Sequence, residues 1–106
     1  MSKLRGADRR YLRSQAHHLK PVVQIGQNGV TEAVLTTIDQ NLTAHELIKV
    51  RFGDHKDAKK ALTAEIAEAL GAEVAGIVGH VAILYRPHPE TGERRIKLPR
   101  RPAEEA

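Results

Sequence analysis

Four residues, Gly26-Gln27-Asn28-Gly29, separate a β-branched run, Val22 to Ile25, from a helical pattern that opens at Thr31. A strand that must turn straight into a helix fixes one corner of the fold. Glycine lacks a Cβ, so Gly26 and Gly29 can each take a positive φ and let other backbone approach closely. The first N–H groups of the following helix have no intrahelical acceptors and lie at the positive end of its dipole, which suits a phosphate oxygen. Taken alone, the same four residues also describe a plain strand-to-helix turn.

Charge placement favours the phosphate reading. The formal charge is only +4, yet Lys3, Arg5, Arg9, Arg10, Arg13 and Lys20 against Asp8 give residues 1–20 a net of +5. Arg94, Arg95, Lys97, Arg100 and Arg101 add +5 near the C-terminus, leaving −6 for the remainder. Such segregation draws a polyanion to one side of a molecule. With 106 residues the chain makes one domain, able to bury roughly 65% of the surface its unfolded form exposes. It has no cysteine, so disulfides, thiolate metal sites and thiol nucleophiles are excluded. No apolar run approaches the ~20 residues of a membrane span, and the charged N-terminus does not fit a secretory signal. The expectation is a cytoplasmic protein without a cofactor or small-molecule substrate.

From Gly6 to about His18, Ala7, Tyr11, Leu12, Ala16 and Leu19 trace one side of a helix, while Arg9, Arg13 and His17 step along another with Arg10 beside them. His17 either adds a donor to this basic ridge or closes the helix. Pro21 stops the helix, and Val22 to Ile25 is the first strand. Thr31 is the expected N-cap of a second helix with an apolar stripe of Val34, Leu35, Ile38 and Leu42. Ile48, Val50 and Phe52 alternate with Leu47, Lys49 and Arg51, the period of a strand with one face buried. Lys49 and Arg51 then either extend the binding surface or form a solvated strand face.

A third helix, capped by Asp54 or Asp57, carries Ala58, Ala61, Leu62, Ile66, Ala69 and Leu70 inward and ends at Gly71. Glycine first in the pair Gly79-His80 predicts a type II′ hairpin, and the unbroken apolar run Val81 to Tyr85 predicts a central strand. Gly76 suits an edge strand or a close approach. The fold class is therefore α+β, a two-layer mixed four-stranded sheet backed by helices, with two right-handed parallel crossovers and one antiparallel hairpin. Residues 1–86 form the domain, and residues 87–106 read as a basic, flexible C-terminal tail with Ile96 and Leu98 available for docking.

Several continuous strings resemble the small bacterial YhbY proteins, which share the CRM domain found in plant organelle splicing factors. They are Leu12-Arg13, Ala16-His17-His18-Leu19-Lys20-Pro21, Ile25 to Thr31, His45 to Val50, Val78 to Pro87 and Lys97-Leu98-Pro99. The resemblance implies a fold like the C-terminal domain of translation initiation factor 3 with an added N-terminal helix, and sheet order 1-2-4-3 with the last strand antiparallel. It further implies binding to ribosomal RNA in precursors of the large ribosomal subunit, hence a role in ribosome biogenesis. The implied contact is the GxxG loop, Gly26, Gln27, Asn28 and Gly29, flanked by Lys20. Arg9, Arg10, Arg13 and His17 join it from the charge argument, with Lys49 and Arg51 from the strand. Many relatives carry lysine where this chain has Gln27, so its loop leans more on backbone donors.

Other chemistries fit poorly. The histidines at 17, 18, 45, 55, 80 and 88 lack ligand spacing, and His17 and His18 point about 100° apart on a helix. His45-Glu46 starts like a zinc-protease motif, but Lys49 stands where the second histidine belongs. Ser2 and Ser14 lie in no nucleophile elbow, and no lysine follows Gly29 as a P-loop needs. No catalytic or metal residue is assigned, and the protein reads as a non-enzyme. Tyr11, Phe52 and Tyr85 are too few for base stacking to dominate, leaving phosphate and shape recognition by a monomer. The alternative is a protein-interaction module that docks a ribosomal protein or assembly factor. A double-stranded DNA reader ranks third for want of a base-reading helix.

Overall fold

The computed structural model describes residues 4–90 together with Ile96. Helix α1 (Gly6–Ala16) leads into strand β1 (Val23–Ile25), helix α2 (Glu32–His45) and strand β2 (Leu47–Phe52). A 3-10 turn (Lys56–Ala58), helix α3 (Lys59–Leu70) and the hairpin strands β3 (Glu73–Val78) and β4 (Val81–Tyr85) complete the order. The sheet runs β1-β2-β4-β3, with β1 parallel to β2 and β4 antiparallel to both its neighbours. That is the order expected above, and β4 is central. No helix among the described residues is long and apolar enough to cross a membrane.

Period-two alternation sends side chains to both faces of the sheet, and each face has its own apolar cluster. Ile48, Val50 and Phe52 from β2 meet Ile25, Ala82, Leu84, Ile38, Leu42, Ile66 and Ala67 beneath α2 and α3. On the opposite face Leu47, Ala75, Ile83 and Tyr85 meet Leu4, Leu12 and Ala16, with Ile96 packed against them. The N-terminal helix thus covers the second face. Its buried stripe is Asp8, Leu12 and Ala16, with Leu4 buried just before it, whereas Ala7 and Leu19, expected inside, are exposed. Asp8 can be buried because its carboxylate accepts from the Arg5 amide at 3.0 Å and from the Arg5 guanidinium at 3.3 Å.

Two further expectations change. Neither Asp54 nor Asp57 caps α3; its N-cap is Ala58, and Asp54 instead accepts from the His55 amide at 2.7 Å. The inner stripe of α3 uses Thr63 and Ala67 where Ala61 and Ala69 were expected. Thr63 is tolerated in the core because its hydroxyl donates to the Lys59 carbonyl at 2.6 Å. Thr31 does cap α2, accepting from the Val34 amide at 3.2 Å, and Gly71 ends α3 at φ +65. Gly79 has φ +61 and His80 does not have a positive φ, as a type II′ turn requires.

Glu46 links α2 to β2 in one residue at φ +65 and is only 3% exposed. Its carboxylate accepts from the amides of Ile96 at 3.1 Å and His88 at 3.4 Å, and its carbonyl from Arg86 at 2.8 Å. Arg86, His88 and Ile96 are thereby held against the α2–β2 junction. Leu98, the other residue expected to dock, and the cations Lys3, Arg94, Arg95, Lys97, Arg100 and Arg101 lie outside the described residues.

Candidate nucleic-acid interface

The glycine turn is exposed at Gly26, Gln27 and Asn28 and projects from the carboxyl end of edge strand β1. The Gly29 amide donates to the Gly26 carbonyl at 3.0 Å, closing a four-residue turn. Only Gly29 uses glycine's conformational freedom, at φ +70. Gly26 does not have a positive φ, and a Cβ there would meet nothing within 4 Å. Open surroundings fit a role in letting a bulky ligand approach.

A second segment supports the turn from below. The amides of Gly53 and Asp54, just past β2, donate to the Ile25 carbonyl at 3.0 and 3.1 Å. His55, in the left-handed region at φ +55, brings its Nε2 to 2.8 Å from the Gln27 carbonyl. A carbonyl accepts, so Nε2 carries the proton in this bond. Sequence reading counted His55 only among unpatterned histidines. Nothing in its neighbours announces a contact 28 residues away.

The cations named above fall into distinct places. Arg51 lies on the α1 face of β2, beside Gln24 of β1 and one residue from the Ile25–Phe52 pair that ends the parallel ladder. It is exposed and is the nearest of these cations to the turn along the sheet. Lys49, half-buried, stands two residues back on the same face, ~7 Å away. Across the sheet from Lys49 come Ile83 and then Gly76, over which the Arg13 stem lies. A Cβ at Gly76 would approach the Arg13 Cδ to 2.8 Å, the close approach that edge glycine was expected to serve. Arg13 Nη1 donates to the Ala75 carbonyl at 3.0 Å. Arg13, Lys49 and Arg51 therefore share one sheet face.

Helix α1 does not reach the turn through Arg13. That residue is fixed at β3, three strands and ~14 Å from the β1 edge. Arg9 is half-buried and donates from Nη1 to the Leu4 carbonyl at 2.8 Å, while Arg10 is exposed. His17 is the C-cap of α1, its ring edge-on to His18 at 5.2 Å. Lys20 lies at the opposite end of β1 from the turn, on a cavity of about 380 Å³ that Leu19, Val22, Leu47 and Ile96 also line. Its distance from the loop is a consequence of β1 lying between them.

The β3–β4 turn meets the same end of the sheet as the glycine turn, since the Phe52 amide donates to the His80 carbonyl at 2.7 Å. The Lys59 ammonium reaches this turn, bonding the Gly79 carbonyl and lying 3.2 Å from His80 Nδ1. Desolvation, then the charges of Lys59, Lys56 and Arg51, hold the His80 imidazole below its ordinary value of 6.5. Among the described residues no group of three or more metal-ligating side chains is gathered.

Comparison with known proteins gives a consistent picture. Residues 4–86 match the CRS1 / YhbY (CRM) domain. A Haemophilus influenzae protein named as an RNA-binding protein is 39% identical over 102 residues, 95% of this chain and 100% of its own length. The Bacillus subtilis protein named "Probable RNA-binding protein YqeI" is 35% identical over 100 residues, 91% of this chain and 99% of its own. The solution structure of a Staphylococcus aureus protein, described as a candidate RNA binder, matches with a TM-score of 0.77 at 38% identity. It covers 91% of this chain and 99% of that one.

Proposed function

The chain belongs to the CRS1/YhbY (CRM) domain family, and on that footing we propose that it is a non-enzymatic RNA-binding protein acting on ribosomal RNA in large-subunit precursors. The names of its relatives support RNA as the ligand. The observation that carries the site is the exposed Gly26–Gly29 turn, tied to Ile25 and His55 from beneath, with Arg51 on the adjoining strand. In this reading the turn's backbone and the side chains of Gln27 and Asn28 meet the sugar-phosphate chain, and Arg51 and Lys49 carry it onto the sheet. Arg9, Arg10 and Arg13 offer a separate contact across the sheet, with His17 and Lys20 at its other end. The working unit is residues 1–86, acting as a cytoplasmic monomer, with residues 87–106 as a basic tail.

Engagement of about five phosphates gives a slope of roughly −3.5 to −4.5 for log K against log salt. A gel-shift series with a synthetic ribosomal stem-loop measures it, and a flat response rejects the proposal. Pulldown from lysate before and after ribonuclease treatment tests the rival protein-docking reading, which predicts partners that survive the nuclease.

A further inference from the structure

The end of the sheet that carries the glycine turn also gathers basic residues from four elements. Arg51 comes from β2, Lys56 from the 3-10 turn, Lys59 from the start of α3, and His80 from the β3–β4 turn. We propose that Lys56, Lys59, Arg51 and His80 form a second phosphate-binding site that holds the RNA backbone as it leaves the glycine turn. This rests on the RNA-binding reading and deepens it.

Three observations carry the proposal. First, the two turns are stitched to the same short stretch of chain: the Phe52 amide bonds the His80 carbonyl, and the Gly53 and Asp54 amides bond the Ile25 carbonyl. A polyanion crossing one turn has the other at hand. Second, the cations are not neutralised by their neighbours. The ion pairs among the described residues are Arg5–Asp8 and Arg86–Asp39, and neither involves this cluster. Asp54, which precedes the 3-10 turn, accepts from the His55 amide, and Asp57 is exposed.

Third, the bonding at the β3–β4 turn sets the direction of the donors. An ammonium only donates, so the Lys59–His80 contact at 3.2 Å makes Nδ1 the acceptor and leaves the proton on Nε2. His80 is exposed, and its Nε2–H is available to a phosphate oxygen. Desolvation comes first in depressing the His80 titration, and the charges of Lys59, Lys56 and Arg51 add to it in the same direction. A bound phosphate offsets those charges and raises the titration midpoint.

The test is RNA binding by the full chain with Lys56→Gln, Lys59→Gln and the double variant, measured over a salt series with a synthetic ribosomal stem-loop. Each lysine removed should lower the log–log slope by about 1 and weaken binding uniformly across RNA sequences. Lys59→Gln also removes the bond to Gly79, so its melting temperature is measured alongside; Lys56→Gln is free of that complication. The His80 ring, followed by NMR, should titrate at higher pH with RNA than without. A steep wild-type slope that the double variant keeps, with a His80 midpoint that RNA leaves in place, overturns the second site and spares the RNA-binding reading. A flat wild-type slope overturns both.

Discussion

His55 Nε2 lies 2.8 Å from the carbonyl oxygen of Gln27, joining the segment after β2 to the middle of the glycine turn. The bond is exposed, so its net contribution to global stability is only about 0.5–1.5 kcal/mol. Its local effect is larger, because it holds the one part of the turn with no strand on its outer side. In His55→Asn the new residue tolerates the left-handed backbone but is too short to reproduce the ring contact. Faster amide exchange at Gly26 to Gly29, weaker RNA binding by about threefold or more, and a nearly unchanged melting temperature are expected. Exchange rates equal to wild type would mean that the turn holds its own shape.

The two glycines of the turn should respond differently to alanine. Gly29 has φ +70, where a Cβ costs about 1–2 kcal/mol. Gly26 has neither a positive φ nor a neighbour within 4 Å of an added Cβ. Gly26→Ala should therefore leave urea stability unchanged or raise it slightly by restricting the unfolded chain. Gly29→Ala should lower it. If Gly26→Ala nevertheless weakens RNA binding, its role is to leave room for the ligand; equal loss of stability in both variants contradicts the assigned backbone.

Much of this fold was legible because hydrophobic period and punctuation agreed. Pro21, Thr31, Gly71 and Gly79-His80 marked boundaries that the structure keeps, and the Val81–Tyr85 run located the central strand. The inner face of α1 was misread because Asp8 counted as a surface charge. Its burial depends on Arg5 closing over it, a pairing that a hydropathy pattern does not encode. The glycine turn was visible as a string, but its supports were not. His55 and Gln27, or Arg13 and Ala75, meet only through chain folding, and no local spacing records such contacts.

Arg86 shows the same limit on the stability side. Nη1 donates to Asp39 Oδ1 at 2.6 Å and to the Leu70 carbonyl at 2.9 Å, while Nη2 reaches the Asp39 carbonyl at 3.0 Å and Thr43 Oγ1 at 2.9 Å. One planar fork ties the end of β4 to α2 and to the last residue of α3. Lysine has no second branch with which to span these acceptors. Arg86→Lys should therefore destabilise the fold almost as much as Arg86→Met, by about 2 kcal/mol in urea unfolding. Full stability in the lysine variant would show that charge alone matters there.

His80 makes stability pH-dependent in a defined direction. Its folded titration lies below 6.5, through desolvation first and then Lys59, Lys56 and Arg51. As pH falls through the unfolded value, the unfolded chain takes up the proton first, and folded stability declines until the folded group is protonated as well. In Lys59→Met the folded midpoint should move upward, and the acid-side decline attributable to His80 should shrink. NMR titration of the ring checks the first point and urea unfolding at several pH values the second. A midpoint unmoved by Lys59→Met would disconnect the lysine from the imidazole.

Arg10 and Arg13 separate binding from structure on α1. Arg10 is exposed, so Arg10→Gln should leave melting unchanged while lowering the salt slope by about 1 if that helix face meets RNA. Arg13 has its stem across Gly76 and its guanidinium on the Ala75 carbonyl, beside the register shift between Val74 and Gly76. Arg13→Gln should cost about 1 kcal/mol from the lost bond and packing, and weaken RNA binding as well. Arg13 uses one of its five N–H donors on Ala75, so the others can serve a phosphate without releasing the strand. If Arg10→Gln keeps the full salt slope, the exposed face of α1 that carries Arg10 has no place on the RNA path.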